Sequence, residues 1–321
     1  MVDRAPSQSM DGYPFVDIVD FVERTTYQIW NDRRPELVPK WYPKDSVIWT
    51  DGGDLVGEEA VTADTAERRR GFSDYYGVID DTIWTGDDES GYRTSMRWVA
   101  RGTHDGHSKL GEPTGRRVSN SSISHCVVVG DQYVEEWAGG NALAFRRQLG
   151  HALEPAVAAL RPSGMPTGEA APERTRSLGA TVPAVPEEVD GAGLFVTDLL
   201  NGLYNDRDLT LADRFYAPGA PYSFGTSRLG FGPAGARAEV ERWHELLPDL
   251  HLEVEELYWN DDTPTRSRVA VRYRLRGTAV NDAGRSRPVS LMCFHHIHVR
   301  GRLVVAEWAE YNELALLAQV G

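Results

Sequence analysis

Two histidines occupy the same place in two similar stretches of this chain. His125 stands ahead of Trp137 as His296 stands ahead of Trp308, at equal spacing. A titratable imidazole retained twice in a strand expected to line a cavity is the leading general acid–base candidate. The bland alternative is a histidine hydrogen-bonded within a sheet. His295, His296 and His298 cluster locally, and imidazole binds zinc. Strand alternation opposes a metal site, because His296 and His298 share one face while His295 points to the other. No metal and no cofactor are therefore expected. Asp51 and Asp54 follow Trp49 in a Gly-containing turn. Asp51 would serve as a base only if burial raised its pKa, and only in the first stretch, because the second offers no acid there. Trp49, Trp98, Trp137 and Trp308 fall on expected strands and are candidates for an aromatic wall around a flat ligand. Tyr92 could donate a phenolic hydrogen bond. Arg97, matched by Arg272, could hold a ligand oxygen or make a structural ion pair.

The elements that must position these residues occur twice. Ile29-Trp30-Asn31-Asp32-Arg33 recurs as Leu203-Tyr204-Asn205-Asp206-Arg207. The segment beginning Arg97-Trp98 and ending Arg101-Gly102-Thr103 recurs from Arg272-Tyr273 to Arg276-Gly277-Thr278. Glu136-Trp137-Ala138 recurs as Glu307-Trp308-Ala309. The matches stay collinear, so the chain reads as two copies of one domain, at 12–154 and 191–321. A proline-rich linker, 155–190, separates them. Each copy opens with an amphipathic helix carrying Phe15, Ile18, Val19 and Val22, or Phe195, Leu199 and Leu200. In the first copy a helix is expected over 57–70, then strands over 77–85, 92–103, 117–129 and 133–137, and a closing helix over 142–149. Gly130-Asp131 and Gly301-Arg302 mark the last hairpin turns. Helices first and long antiparallel strands after make an α+β pattern. A curved antiparallel sheet wrapped on the N-terminal helices gives a cone-shaped barrel, twice, with the two packed as a pseudo-dimer.

Composition narrows the partners. The chain has 321 residues and a formal net charge of −14, which disfavours a polyanion such as nucleic acid. Two cysteines exclude a disulfide scaffold. The polar N-terminus and the lack of a long apolar run point to a cytoplasmic protein without a membrane partner.

The segments Gly102-Thr103-His104-Asp105-Gly106, Gly111-Glu112-Pro113-Thr114-Gly115 and Val134-Glu135-Glu136-Trp137, followed by Leu143-Ala144-Phe145-Arg146, resemble the SnoaL-like (polyketide cyclase-like) branch of the nuclear transport factor 2-like superfamily. The resemblance covers both copies. It implies cone-shaped domains that pair through their sheets, and side-chain acid–base chemistry without a cofactor. His104 matches a Thr-His-x-Gly feature of the family, which implies a loop at the cone's rim. The resemblance also places a catalytic Asp at or just beyond the last-strand Trp. Here Ala138 and Ala309 follow the Trp, and Asn141 and Asn312 lie beyond them. Asn can orient a carbonyl or stabilise an oxyanion but cannot shuttle a proton. The expected function is a cyclase, isomerase or lyase acting on a hydrophobic, carbonyl-bearing small molecule. An epoxide hydrolase or epoxide-opening cyclase and a non-catalytic binding or scaffolding module are the rivals. Oligomers beyond the internal pair are left open.

Overall fold

The computed structural model describes residues 10–165, 191–224 and 227–321. Most of the expected linker, from 166 onward, lies outside the described residues. Helix α1 (Ile18–Trp30) begins at Asp17, whose carboxylate accepts the Asp20 N–H at 2.8 Å. Its inner stripe is Ile18, Phe21, Val22, Thr25 and Ile29. A 3₁₀ turn (Pro35–Leu37) and α2 (Val38–Trp41) lead to β1 (Val47–Trp49) and β2 (Leu55–Val56). Then come α3 (Glu58–Arg70), β3 (Tyr76–Asp87), β4 (Gly91–Thr103), β5 (Arg117–Val129), β6 (Gln132–Gly140), α4 (Ala142–Leu149) and α5 (Glu154–Ala158). The second copy repeats the order. It has α6 (Gly191–Leu200), which runs on into a wider turn over Asn201–Asn205, then α7 (Thr210–Phe215), β7 (Pro221–Phe224), β8 (Arg228–Phe231) and α8 (Gly232–Leu246). It closes with β9 (His251–Thr263), β10 (Arg266–Val280), β11 (Ser286–Arg300), β12 (Leu303–Tyr311) and α9 (Glu313–Val320).

The two sheets run β2-β1-β6-β5-β4-β3 and β8-β7-β12-β11-β10-β9. They are mixed rather than wholly antiparallel, because β1 runs parallel to β6 and β7 parallel to β12. They stay open, so each copy is a cone and not a closed barrel. The short parallel strand follows the helical hairpin, which brings the chain back to the sheet in the direction of its last strand.

Several repeated sequence fragments prove to be clips that fix this frame. Asn31 bonds both backbone groups of Gly77, at 2.9 and 3.0 Å. Asn205 does the same for Leu252, at 3.0 and 2.7 Å. Arg33 and Arg207 both take a left-handed backbone, φ 61° and 57°, and cap nearby carbonyls. Asp74 receives the backbone and hydroxyl of Thr103, and Asp249 those of Thr278. Gln148 and Gln319 bridge to the backbones of Ser119 and Ser290.

The copies pack sheet against sheet. Ile123, Val127, Val134 and Trp137 meet Met292 and Phe294, and Ile83 meets Tyr258 and Ala270. Approach is close enough that a Cβ on Gly139 would lie 2.4 Å from the Phe294 ring. The Asn260 amide bonds both backbone groups of Trp84, at 3.0 and 2.8 Å. Each sheet is therefore buried on both faces, by its own helices on one side and by the other copy on the other.

Candidate functional site

Strand alternation turns Ser124 and Cys126 of β5 into the first cone, and His125 out toward the second copy. There His125 Nδ1 lies 2.7 Å from Glu256 Oε2. Arg93 ion-pairs with the same carboxylate, and Arg272 Nε lies 3.6 Å from it. His296 mirrors this: its Nδ1 is 2.9 Å from Asp81 Oδ2 and its Nε2 2.7 Å from Ser95 Oγ. Arg268 and His298 complete the set on Asp81, at 2.6 and 2.9 Å. The expected cone-lining position of His125 and His296 is thus corrected: both sit in a pseudo-symmetric polar layer between the sheets. Burial pushes the His125 pKa down to about 4 and lowers that of His296. His295 does point the other way, into the second cone.

Most other expected site residues also lie away from the cones. Trp137 and Trp308 stack under Arg272 and Arg97, each guanidinium about 4.2 Å from the ring centre across the copies. Arg97 also pairs with Asp80. Trp49 donates to Glu135 at 2.7 Å beside the interface cluster. Asn141 and Asn312 are helix caps, accepting backbone N–H groups of α4 and α9. The Asn141 amide also reaches Glu313 at 2.8 Å, joining the copies. Asp51 accepts the Met292 N–H at 3.0 Å, and burial raises its pKa to about 7. His104 is buried against Phe72 and closes the turn of its own loop, where its carbonyl accepts Thr114 and Gly115 N–H groups. Tyr92 packs in the first core and donates to Asp88 at 2.6 Å. Trp98 shares the inward face of β4 with Tyr92 and lies 6.2 Å from the Tyr27 ring.

The inward face of β6 presents a residue passed over in the sequence, Glu136. Tyr42 donates to its Oε2 at 2.9 Å, and Ser124 also bonds it. Burial raises the Glu136 pKa, and the hydrogen bonds from Tyr42 and Ser124 and the charge of Arg68 partly offset this. Burial also raises the Tyr42 phenol well above its usual value, so it remains a neutral donor. The signal was present: Glu136 and Tyr42 recur as Glu307 and Tyr216.

The first of these two sites is the less tightly sealed. Glu136 is 8% exposed and Glu307 1%. Tyr42, Met96, Ser122 and Ala138 of the first copy are half-buried, whereas Val271, Cys293 and Ala309 at the latter three positions of the second are buried. The fillers can be named. Gly140 ends β6 where Tyr311 ends β12, and Tyr311 stacks on Phe224 at 3.7 Å. Residues 57–74 and 232–249 align without a gap, which sets Arg68 opposite Trp243. Trp243 is fully buried, 4.8 Å from the Tyr311 ring, whereas the Arg68 side chain is 57% exposed. Ser124 is replaced by His295, whose Nδ1 lies 2.9 Å from Glu307 and whose Nε2 lies 2.9 Å from the Tyr273 hydroxyl. Tyr216 donates to the other Glu307 oxygen at 2.5 Å. The second cone is filled by a Tyr–His–Glu–Tyr cluster; in the first, Glu136 sits among half-buried Tyr42, Met96, Ser122 and Ala138.

The family model for SnoaL-like polyketide cyclases matches residues 21–149 and again 195–320. The chain belongs to the SnoaL-like polyketide cyclase family. Solved structures are similar to single copies of this chain. One is a candidate SnoaL-like polyketide cyclase from Jannaschia sp. CCS1, at 17% identity and TM-score 0.38, covering 47% of this chain and 98% of that one. Another is TsrD from Streptomyces laurentii, at 24% identity and TM-score 0.34, covering 42% and 98%. A third, from Catenulispora acidiphila, has a ketosteroid isomerase-like fold, at 16% identity and TM-score 0.34, covering 43% and 95%. No curated protein matches the chain. Among the described residues, no helix is long and apolar enough to cross a membrane.

Proposed function

We propose that the first copy is the reactive half of a cofactor-independent cyclase or isomerase. Its cone takes a hydrophobic, carbonyl-bearing small molecule. The observation that carries this is the buried carboxyl of Glu136 among half-buried inward residues, set against the sealed Glu307. A buried carboxyl whose pKa is raised is suited to take a proton from the carbon beside a carbonyl and to return it elsewhere. Tyr42, through Oε2, and Ser124 orient it. Met96 and Trp98 supply apolar wall. The second copy acts as a rigid partner whose filled cone braces the shared sheet layer. In this reading His125 and His296 hold the copies together rather than move protons.

The test is turnover of a panel of aromatic ketones and polyketide-like compounds by Glu136→Gln and Glu307→Gln. Glu136→Gln should lose about 100-fold or more in kcat, and Glu307→Gln should keep its kcat. Wild-type rates in Glu136→Gln would remove Glu136 from the chemistry. The alternative, a binding module, is favoured by the alanines after both last-strand tryptophans. It would show as ligand binding without turnover anywhere on the panel.

A further inference from the structure

Beside the first cone stand three cations, two of which share one acid. Arg68 Nε lies 2.6 Å from Asp64 Oδ2, and Lys109 pairs with the other Asp64 oxygen. Arg146 Nη1 donates to the Leu110 carbonyl at 3.0 Å, which brings α4 against the same loop. Arg68 aligns with Trp243, which fills the second cone beside Tyr311, and it lies within electrostatic reach of Tyr75 and Glu136. Arg146 feels Arg68 as well: its pKa is lowered by burial and then by that like charge. The neighbouring acid, Glu67, is engaged by Arg70 and by the Lys109 backbone.

The second copy lacks this surplus. It has Trp243 for Arg68 and Leu317 for Arg146. The short connection Asn281–Arg285 replaces the loop that carries Lys109. At the Asp64 position Glu239, together with Glu313, balances Arg228 and Arg242. The excess positive charge is thus confined to the copy whose cone is the less tightly sealed.

Resting on the reading that the first cone takes the substrate, we propose that Arg68, Lys109 and Arg146 form an anion seat at its mouth. The substrate class is then an aromatic acid whose carboxylate is held at the rim while its carbonyl end lies toward Glu136. A carboxylate entering an apolar cone needs a counter-charge, and guanidinium offers planar, two-pronged donors.

The probes are 2-naphthoic acid and its uncharged methyl ester, titrated into the full chain by tryptophan fluorescence. The acid should bind about tenfold more tightly than the ester, the worth of a charge-assisted contact. Raising salt to about 0.5 M should erase most of that preference. Arg68→Met should reduce acid binding to the ester's level and leave the ester unchanged. Lys109→Met should shift the acid in the same direction by less. Coincident melting curves exclude misfolding of the variants. Equal binding of acid and ester by the wild type, or equal loss of both in Arg68→Met, overturns the seat and leaves the cone reading standing. Failure of both probes to bind overturns the two together.

Discussion

Replacing Glu256 by Gln should loosen the join between the two copies. The side chain is 2% exposed and carries the Arg93 ion pair, the 2.7 Å contact to His125 and the 3.6 Å approach of Arg272. The amide keeps the shape but removes the charge and leaves cations buried against a neutral group. Losing one partner of a buried pair costs about 3–5 kcal/mol. At about 2–4 °C per kcal/mol for a chain of this size, Tm should fall by about 6–20 °C. Circular dichroism melts at neutral pH measure it. The pH dependence adds a second check. Burial alone would raise the Glu256 pKa, yet Arg93 and His125 hold it well below the ordinary 4.5. Its stabilisation is therefore present above pH 4.5 and lost as pH falls through the lower folded value. His125 works in the same direction: it is neutral in the fold down to about 4 and charges near 6.5 when unfolded. Wild-type stability should thus decline from pH 6.5 toward 4, and the variant's deficit should shrink below about 4.5. A Tm within 1 °C of wild type, or a deficit independent of pH, would refute the reasoning.

Trp243→Ala should cost about 3–5 kcal/mol by emptying the filled second cone, read by denaturant unfolding; a loss below about 1 kcal/mol would mean that the ring fills nothing. Glu310 gives the opposite pH sign to Glu256. Burial raises its pKa to about 8, so the folded chain holds a proton that the unfolded chain releases near 4.5. Stability from this group is present below pH 4.5 and lost as pH rises to 8. Glu310→Gln should gain on the wild type across that window, by up to about 5 kcal/mol at pH 8. A gain that does not vary with pH would contradict it.

The repeat made the architecture readable. Strands β4 and β5, helix α4 and both hairpin turns fall where collinear matches and alternation put them, because clips such as Asn31 and Asn205 are themselves repeated. The parallel β1–β6 pair was not legible, since β1 is three residues long and owes its place to the hairpin before it. The candidate site was legible only in part, and the reason is burial on both sheet faces. When one face of a strand is wet, polarity tells which way each residue points; here Ser124, His125 and Cys126 are all buried. A retained histidine therefore looked inward when it faced the other copy. Glu136 looked like a conserved fragment of the repeat when it was the inward acid. Arg68 was hidden by the charged appearance of α3, and only its alignment with the buried Trp243 shows which way it turns.

The most direct test of the account is a crystal structure of the protein grown with an aromatic ketone. Ligand density should fill the first cone, with the ketone end beside Glu136 and Tyr42, and the second cone should remain closed around Trp243 and Tyr311. Density in the second cone, or between the sheets at His125 and His296, would contradict it.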